Sequence, residues 1–120
     1  MLSQHKLLII EDMVLIALDI QRVLEDAHAA EAIFARDYRE AEALVERFDE
    51  FDLAIINPPT PTEFEVAARL VKSGAAIVVC SATGTDLTKT PLADAEVVAK
   101  PFADKDLLAA CERALSRRKA

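Results

Sequence analysis

Glycine is nearly absent: Gly74 and Gly84 are the only two in 120 residues. A phosphate cradle of the dinucleotide-binding or P-loop kind needs several closely spaced glycines, so that backbone N–H groups can approach the ligand. Both classes are excluded. Cysteine is equally scarce, and no third cysteine or nearby histidine joins Cys80 and Cys111 to make a metal set. Both cysteines lie in apolar contexts and read as reduced core residues of a cytosolic protein. Positive charge is short as well. The formal net charge is −7, and the basic residues are scattered apart from Arg117-Arg118-Lys119. A nucleic-acid surface requires clustered cations, so this trio reads as a solvated helix end that complements the helix dipole. Long apolar runs are missing too. None approaches membrane-spanning length, and residues 7–10 are too few for the apolar region of a signal peptide. The expectation is a cytoplasmic protein that engages neither nucleic acid nor membrane.

What is present can build a core. The chain is 52% hydrophobic and 29% charged, an ordinary globular balance, and residues 1–120 read as one domain. The central stretch is Asp52-Leu-Ala-Ile-Ile-Asn57-Pro58-Pro59-Thr60-Pro61. Its unbroken apolar run predicts a short buried strand. Pro58 and Pro59 cannot donate to a sheet ladder, so the strand ends at Asn57.

Other apolar runs predict strands at residues 6–10, 31–36, 75–80 and 96–99. Helical spacing predicts helices between them. The first covers residues 13–27, with Met13, Ile16, Ala17, Ile20, Val23, Leu24 and Ala27 inward and the pair Glu11-Asp12 in its first turn. Leu15 and Leu18 fall off that face, which implies either a contact surface or a helix buried on two sides. The second helix covers 39–48 with Ala41, Leu44, Val45 and Phe48 inward. The third covers 63–73 with Phe64, Ala67, Ala68 and Val71 as its apolar residues and Gly74 as its cap. The last covers 104–118 with Leu107, Leu108, Cys111, Ala114 and Leu115 inward. Residues 83–94 hold threonines, a glycine and a proline with little apolar periodicity, and predict a short helix or a loop.

Strand and helix alternate, and the strands are continuously apolar. Both features imply a parallel sheet covered on two faces. Right-handed crossovers then give an α/β doubly wound fold of the flavodoxin-like type, five parallel strands in the order 2-1-3-4-5. In such a sheet the carboxyl ends of the strands share one edge. That edge carries Glu11 and Asp12 after the first strand, Asn57 after the third, Ser81 after the fourth and Lys100 after the fifth. Two carboxylates, an amide, a hydroxyl and an ammonium suit a divalent cation beside a phosphoryl group. They suit equally a salt-bridged cluster of Lys100 with Glu11 or Asp12 and no ligand.

The combination Ile9-Ile10-Glu11-Asp12, Asp52-Leu-Ala-Ile-Ile-Asn57 with Pro61, Ser81-Ala82 and Lys100-Pro101-Phe102 resembles the receiver domains of two-component response regulators, from about residue 6 to 118. The resemblance implies that Glu11 and Asp12 form the acidic pair, with Asp12 a direct Mg2+ ligand. The backbone carbonyl of Pro59 would complete the metal set, Ser81 would be the switch hydroxyl, and Lys100 would pair with the acceptor side chain. It implies as partners a histidine kinase, a phosphotransfer protein or another signalling protein, through the first helix with Leu15 and Leu18. It also implies homodimer or target contacts on the face that includes residues 83–94 and Val97.

Three departures stand against that pattern. The family's phospho-acceptor is an aspartate, and the matching residue is Asn57. The position of the switch aromatic holds Val97. The loop after the acceptor is proline-rich and lacks the usual glycine. An aspartate attacks phosphorus with a carboxylate oxygen, whereas a neutral amide is a poor nucleophile. Losing that charge also weakens Mg2+. The expectation is a pseudo-receiver, not an enzyme, that acts by binding a partner protein. The alternatives are a conventional Mg2+-dependent receiver whose acceptor aspartate has been substituted by Asn57, and a Mg2+-dependent phosphatase-like enzyme. The last lacks the second aspartate two residues after Asp12, where Val14 stands.

Overall fold

The computed structural model describes Leu2, residues 4–82 and residues 86–118. Five strands form one parallel sheet: β1 (Lys6–Ile10), β2 (Glu31–Ala35), β3 (Leu53–Ile56), β4 (Ala76–Ser81) and β5 (Glu96–Ala99). Their spatial order is β2-β1-β3-β4-β5, as the alternating pattern predicts. The helices are α1 (Val14–Asp26), α2 (Tyr38–Glu42), α3 (Phe64–Lys72) and α4 (Asp104–Arg118).

Strand side chains alternate between two layers. Leu7, Ile9, Leu53, Ile55, Val78, Cys80 and Val98 meet Ile20, Val23 and Leu24 of α1 and Leu107, Cys111 and Leu115 of α4. Leu8, Ile10, Ala54, Ile56, Ile77 and Val79 meet Tyr38, Phe48, Val66, Ala67 and Leu70 on the opposite side. Each fully buried Leu or Ile contributes about 1.5–3 kcal/mol. The central strands β1, β3 and β4 are therefore the stable floor of the sheet, and their ends are rigid mounts. Cys80 and Cys111 are free and buried in the first layer. Burial pushes their thiols up to about 11 and about 12, so both stay neutral packing groups.

Several local expectations change. Residues 39–48 are not one helix. Asp37 caps α2 by accepting the Glu40 N–H at 2.8 Å. The chain then tightens through a turn into a 3-10 segment, Val45–Glu50. That route carries both Phe48 and Phe51 into the core, 2% and 1% exposed, and leaves Leu44 and Val45 half-buried. In α3 the inward face is Val66, Ala67 and Leu70, while Val71 is exposed and Phe64 and Ala68 are half-buried. Apolar residues occupy both stripes, so spacing alone permits either. Met13 does not face the core; it is the extended residue before α1 and is 56% exposed. In α4, Ala110 is buried and Leu108 is half-buried.

Residues 86–95 form turns, not a helix; Thr83, Gly84 and Thr85 lie outside the described residues. The side chains of this stretch take the backbone groups a helix would use. The Asp86 carboxylate accepts from the Thr88 N–H and hydroxyl, and the Thr90 hydroxyl donates to the Leu87 carbonyl and accepts from the Leu92 N–H. Short polar side chains compete with helix formation in this way. Leu87 and Leu92 are nevertheless buried and plug the second layer.

Gly74 follows α3 with φ +100°, and a Cβ there would meet nothing within 4 Å. The cost of a side chain is thus backbone strain alone. Gly74→Ala should lower unfolding free energy by about 1–2 kcal/mol in urea titration. An unchanged midpoint would show that the turn relaxes to a negative φ.

Candidate functional site

The register of the sheet assembles the site. Ile10 lies beside Ile56, so Glu11 and Asn57 emerge together from β1 and β3. The Asn57 N–H bonds the Ile10 carbonyl at 3.1 Å, and the Glu11 N–H bonds the Ala35 carbonyl at 3.0 Å. At the other end of the edge, Ser81 pairs with Ala99, and the Lys100 N–H bonds the Ser81 carbonyl at 2.8 Å. Four strand ends are thereby held by backbone bonds before any side chain acts. Ser81 is 4% exposed.

Lys100 spans the gap. Its Nζ lies 2.8 Å from Glu11 Oε1 and donates to Asn57 Oδ1 at 2.8 Å. The contact with Glu11 is an ion pair without hydrogen-bond alignment at Oε1. Its side chains are 12% and 1% exposed, so solvent screens it little. The opposite end of the Asn57 amide donates to Asp12 Oδ1 at 3.2 Å and to Glu11 Oε2 at 3.3 Å. This orientation of the amide is chemically required, since the reverse would set its oxygen against two carboxylates and its N–H groups against an ammonium.

Glu11 and Asp12 precede α1, whose first turn holds no acidic residue. Glu11 Oε2 instead accepts the Met13 N–H at 3.1 Å, relieving one of the helix's unpaired donors from outside. The expected dipole contact within the helix is thus replaced by a cap just ahead of it.

Tyr38 completes the cluster, and sequence reasoning missed it. Its hydroxyl donates to the Asn57 backbone carbonyl, and the ring is buried at the start of α2. Burial pushes the phenol well above its ordinary value, and the negative charge of Glu63 adds to this. The hydroxyl therefore remains a donor. A lone tyrosine after a capping aspartate carries no sequence signal for such a role.

Three other candidate positions, Val97, Leu15 and Leu18, are exposed. Val97 is 47% exposed on the edge strand β5. Leu15 and Leu18 are 81% and 55% exposed on α1, which excludes a helix buried on two sides at these positions. Pro59 is buried two residues past Asn57.

The donor set does not fit a metal as it stands. A hard cation requires oxygen ligands, and Asn57 presents its NH2 group to the two carboxylates. Among the described residues, no group of three or more His, Cys, Asp or Glu is placed to hold an ion. Mg2+ would have to compete with the amide donors and with Lys100.

Removing Lys100 leaves the buried Glu11 carboxylate without a counter-charge, which costs about 3–5 kcal/mol in comparable pairs. Lys100→Met should lose a stability of that order in denaturant unfolding. Glu11→Gln in the same chain should recover part of it, giving a coupling of about 1–3 kcal/mol. Additive losses would mean that the two side chains act independently.

No family model matches the sequence, and no curated protein matches it. Solved structures do. The chemotaxis response regulator CheY4 of Vibrio cholerae is 26% identical with a TM-score of 0.74, over 93% of this chain and 99% of that one. A response regulator receiver protein from Sinorhizobium medicae is 20% identical with a TM-score of 0.79, over 98% and 99%. A CheY-like receiver domain protein from Methanospirillum hungatei is 22% identical with a TM-score of 0.78, over 98% of each chain. Each likeness covers more than nine-tenths of both chains. The chain has the fold of the response-regulator receiver domains.

Proposed function

We propose that the chain is a two-component receiver domain that signals by protein–protein contact and undergoes no phosphorylation cycle at position 57. The observation that carries this reading is the closed network around Asn57, in which the amide accepts from Lys100 and donates to Glu11 and Asp12. Phosphoryl transfer would need a carboxylate nucleophile and a cation at that point. The amide supplies no nucleophile, and its N–H groups satisfy the acidic pair. A domain whose site is internally satisfied rests in one conformation, and a fixed conformation is a constant signal.

No catalytic role is assigned to the chain, and its proposed location is the cytoplasm. Among the described residues no helix is long and apolar enough to cross a membrane. The proposed partner, a histidine kinase, phosphotransfer protein or other signalling protein, meets the start of α1. Val14, Leu15 and Leu18 are exposed there. A cavity of about 280 Å3 beside them is lined by Glu11, Asp12, Leu18 and Phe34. The β5 face with Val97 is the proposed homodimer or target face.

A second reading has its own support. By their resemblance to the receiver pattern, Glu11, Asp12, Ser81 and Lys100 would match a working receiver's site, so Asn57 can be a substituted aspartate in an otherwise competent site. One experiment separates the two. The purified chain is treated with Mg2+ and acetyl phosphate, or with beryllofluoride as a phosphoryl mimic. The expected result is no labelling and no mimic binding; stable labelling at Asn57 would sink the proposal. Asn57→Asp should gain Mg2+ affinity by about tenfold or more, or about 1.4 kcal/mol. If that variant also accepts phosphoryl, the cleft is competent and the second reading gains.

The partner surface has a separate test. Leu15→Asp and Leu18→Asp change exposed positions and should shift stability by no more than about 0.5 kcal/mol, while cutting partner binding in calorimetry or pull-down with a cognate kinase. Unchanged binding would reject this surface.

A further inference from the structure

We infer that Pro58 is a chemical lock on position 57, preventing the amide from ageing into an acceptor carboxylate. The inference rests on the reading that Asn57 keeps the domain unphosphorylated, and it names what makes that state permanent. Asn57 is the only asparagine in the chain, and proline follows it.

An asparagine in a protein loses ammonia chiefly by cyclisation. The backbone nitrogen of the next residue gives up its proton and attacks the side-chain carbonyl carbon. A C–N bond closes a five-membered imide, the bond to the amide nitrogen breaks, and ammonia leaves with the transferred proton. Water then opens the imide to aspartate or isoaspartate. The Pro58 nitrogen has no proton to lose, because its ring occupies that position. A neutral imide cannot form there. At Asn57 the product would be a carboxylate at the acceptor position, the one group the site lacks.

Direct attack of hydroxide on the amide carbon remains, and the surroundings oppose it. Glu11 and Asp12 lie 3.3 and 3.2 Å from the amide nitrogen. An incoming anion meets both charges, and the new carboxylate would add a third. Lys100, 2.8 Å from Oδ1, acts in the other direction by stabilising the negative oxygen of the tetrahedral intermediate. One ammonium set against two carboxylates leaves the balance unfavourable. The second ring closure open to asparagine, attack of its own Nδ2 on its backbone carbonyl with release of Pro58, requires that nitrogen to leave both carboxylates.

The test is incubation of the full chain at mildly alkaline pH for weeks, followed by ion exchange and peptide mapping by mass spectrometry. Mapping also separates any change at Gln4 or Gln21. The expected result is an intact Asn57. Pro58→Gly should accumulate aspartate and isoaspartate at position 57 at least about tenfold faster, a barrier difference of about 1.4 kcal/mol. That variant can fail to fold, so both chains are also incubated in guanidinium chloride. Blocked cyclisation is a property of the covalent chain, and the contrast should persist there. Conversion of the native sequence at the rate of Pro58→Gly, in either state, would overturn the lock, as would scission after Asn57. The two readings fail differently. A phosphoryl label on protein whose Asn57 is still an amide defeats the proposed function alone, and conversion of Asn57 without labelling of the amide form defeats the lock alone.

Discussion

A charged carboxylate, Glu11, sits at 4% exposure where the central strands end, and the arrangement of the whole edge follows from satisfying it. An isolated buried carboxylate is costly unless a counter-charge and hydrogen bonds surround it. Lys100 supplies the charge from β5, the Met13 N–H supplies one bond, and the Asn57 amide supplies another. Those groups come from three places in the sequence, and only a parallel sheet brings them to one point. The packing of β1, β3 and β4 between two apolar layers holds the mounts still, so a side chain as long as lysine can be kept in a single geometry. Fold and site are coupled in this respect: disturbing the edge strand β5 would move the cation away from the acid it neutralises.

The sheet and the cluster were largely legible in the sequence, and for a physical reason. A run such as Leu-Ala-Ile-Ile followed by two prolines has few alternatives to a buried strand, and polar residues at successive strand ends must converge once the sheet is parallel. Glu11, Asp12, Asn57 and Lys100 could accordingly be listed in advance. What could not be read was set by partners distant in sequence. Tyr38 reaches Asn57 only because α2 begins over the end of β3. The choice of inward stripe on α3 depended on which of Val66, Leu70 and Val71 the sheet would meet, and all are apolar. The break between α2 and the 3-10 segment serves Phe48 and Phe51 together, a requirement invisible in helical spacing.

The stretch between β4 and β5 shows how local chemistry overrides fold pattern. An alternating strand–helix chain calls for a helix there, yet within residues 86–95 the Asp86 and Thr90 side chains bond nearby backbone groups. Leu87 and Leu92 still fill the layer that a helix would have filled. The core is thus closed by two side chains instead of a helical stripe, and Val97 on the neighbouring strand is left 47% exposed.

The chemistry at position 57 turns on a difference of one group. A carboxylate there would place three negative side chains around the single ammonium of Lys100, and such a cluster calls for a further cation to balance it. The amide has the same shape but carries a donor and an acceptor in place of a charge. Its oxygen takes the lysine and its nitrogen takes both acids, so each end meets the partner of opposite polarity. An amide at this point lowers the negative charge of the cluster and with it the demand for a further cation. With the amide in place the cluster holds two carboxylates against one ammonium, one negative charge fewer than a carboxylate at position 57 would give. Asn57 thus ties together the residues that follow β1 and β5, and Tyr38 bonds its backbone carbonyl.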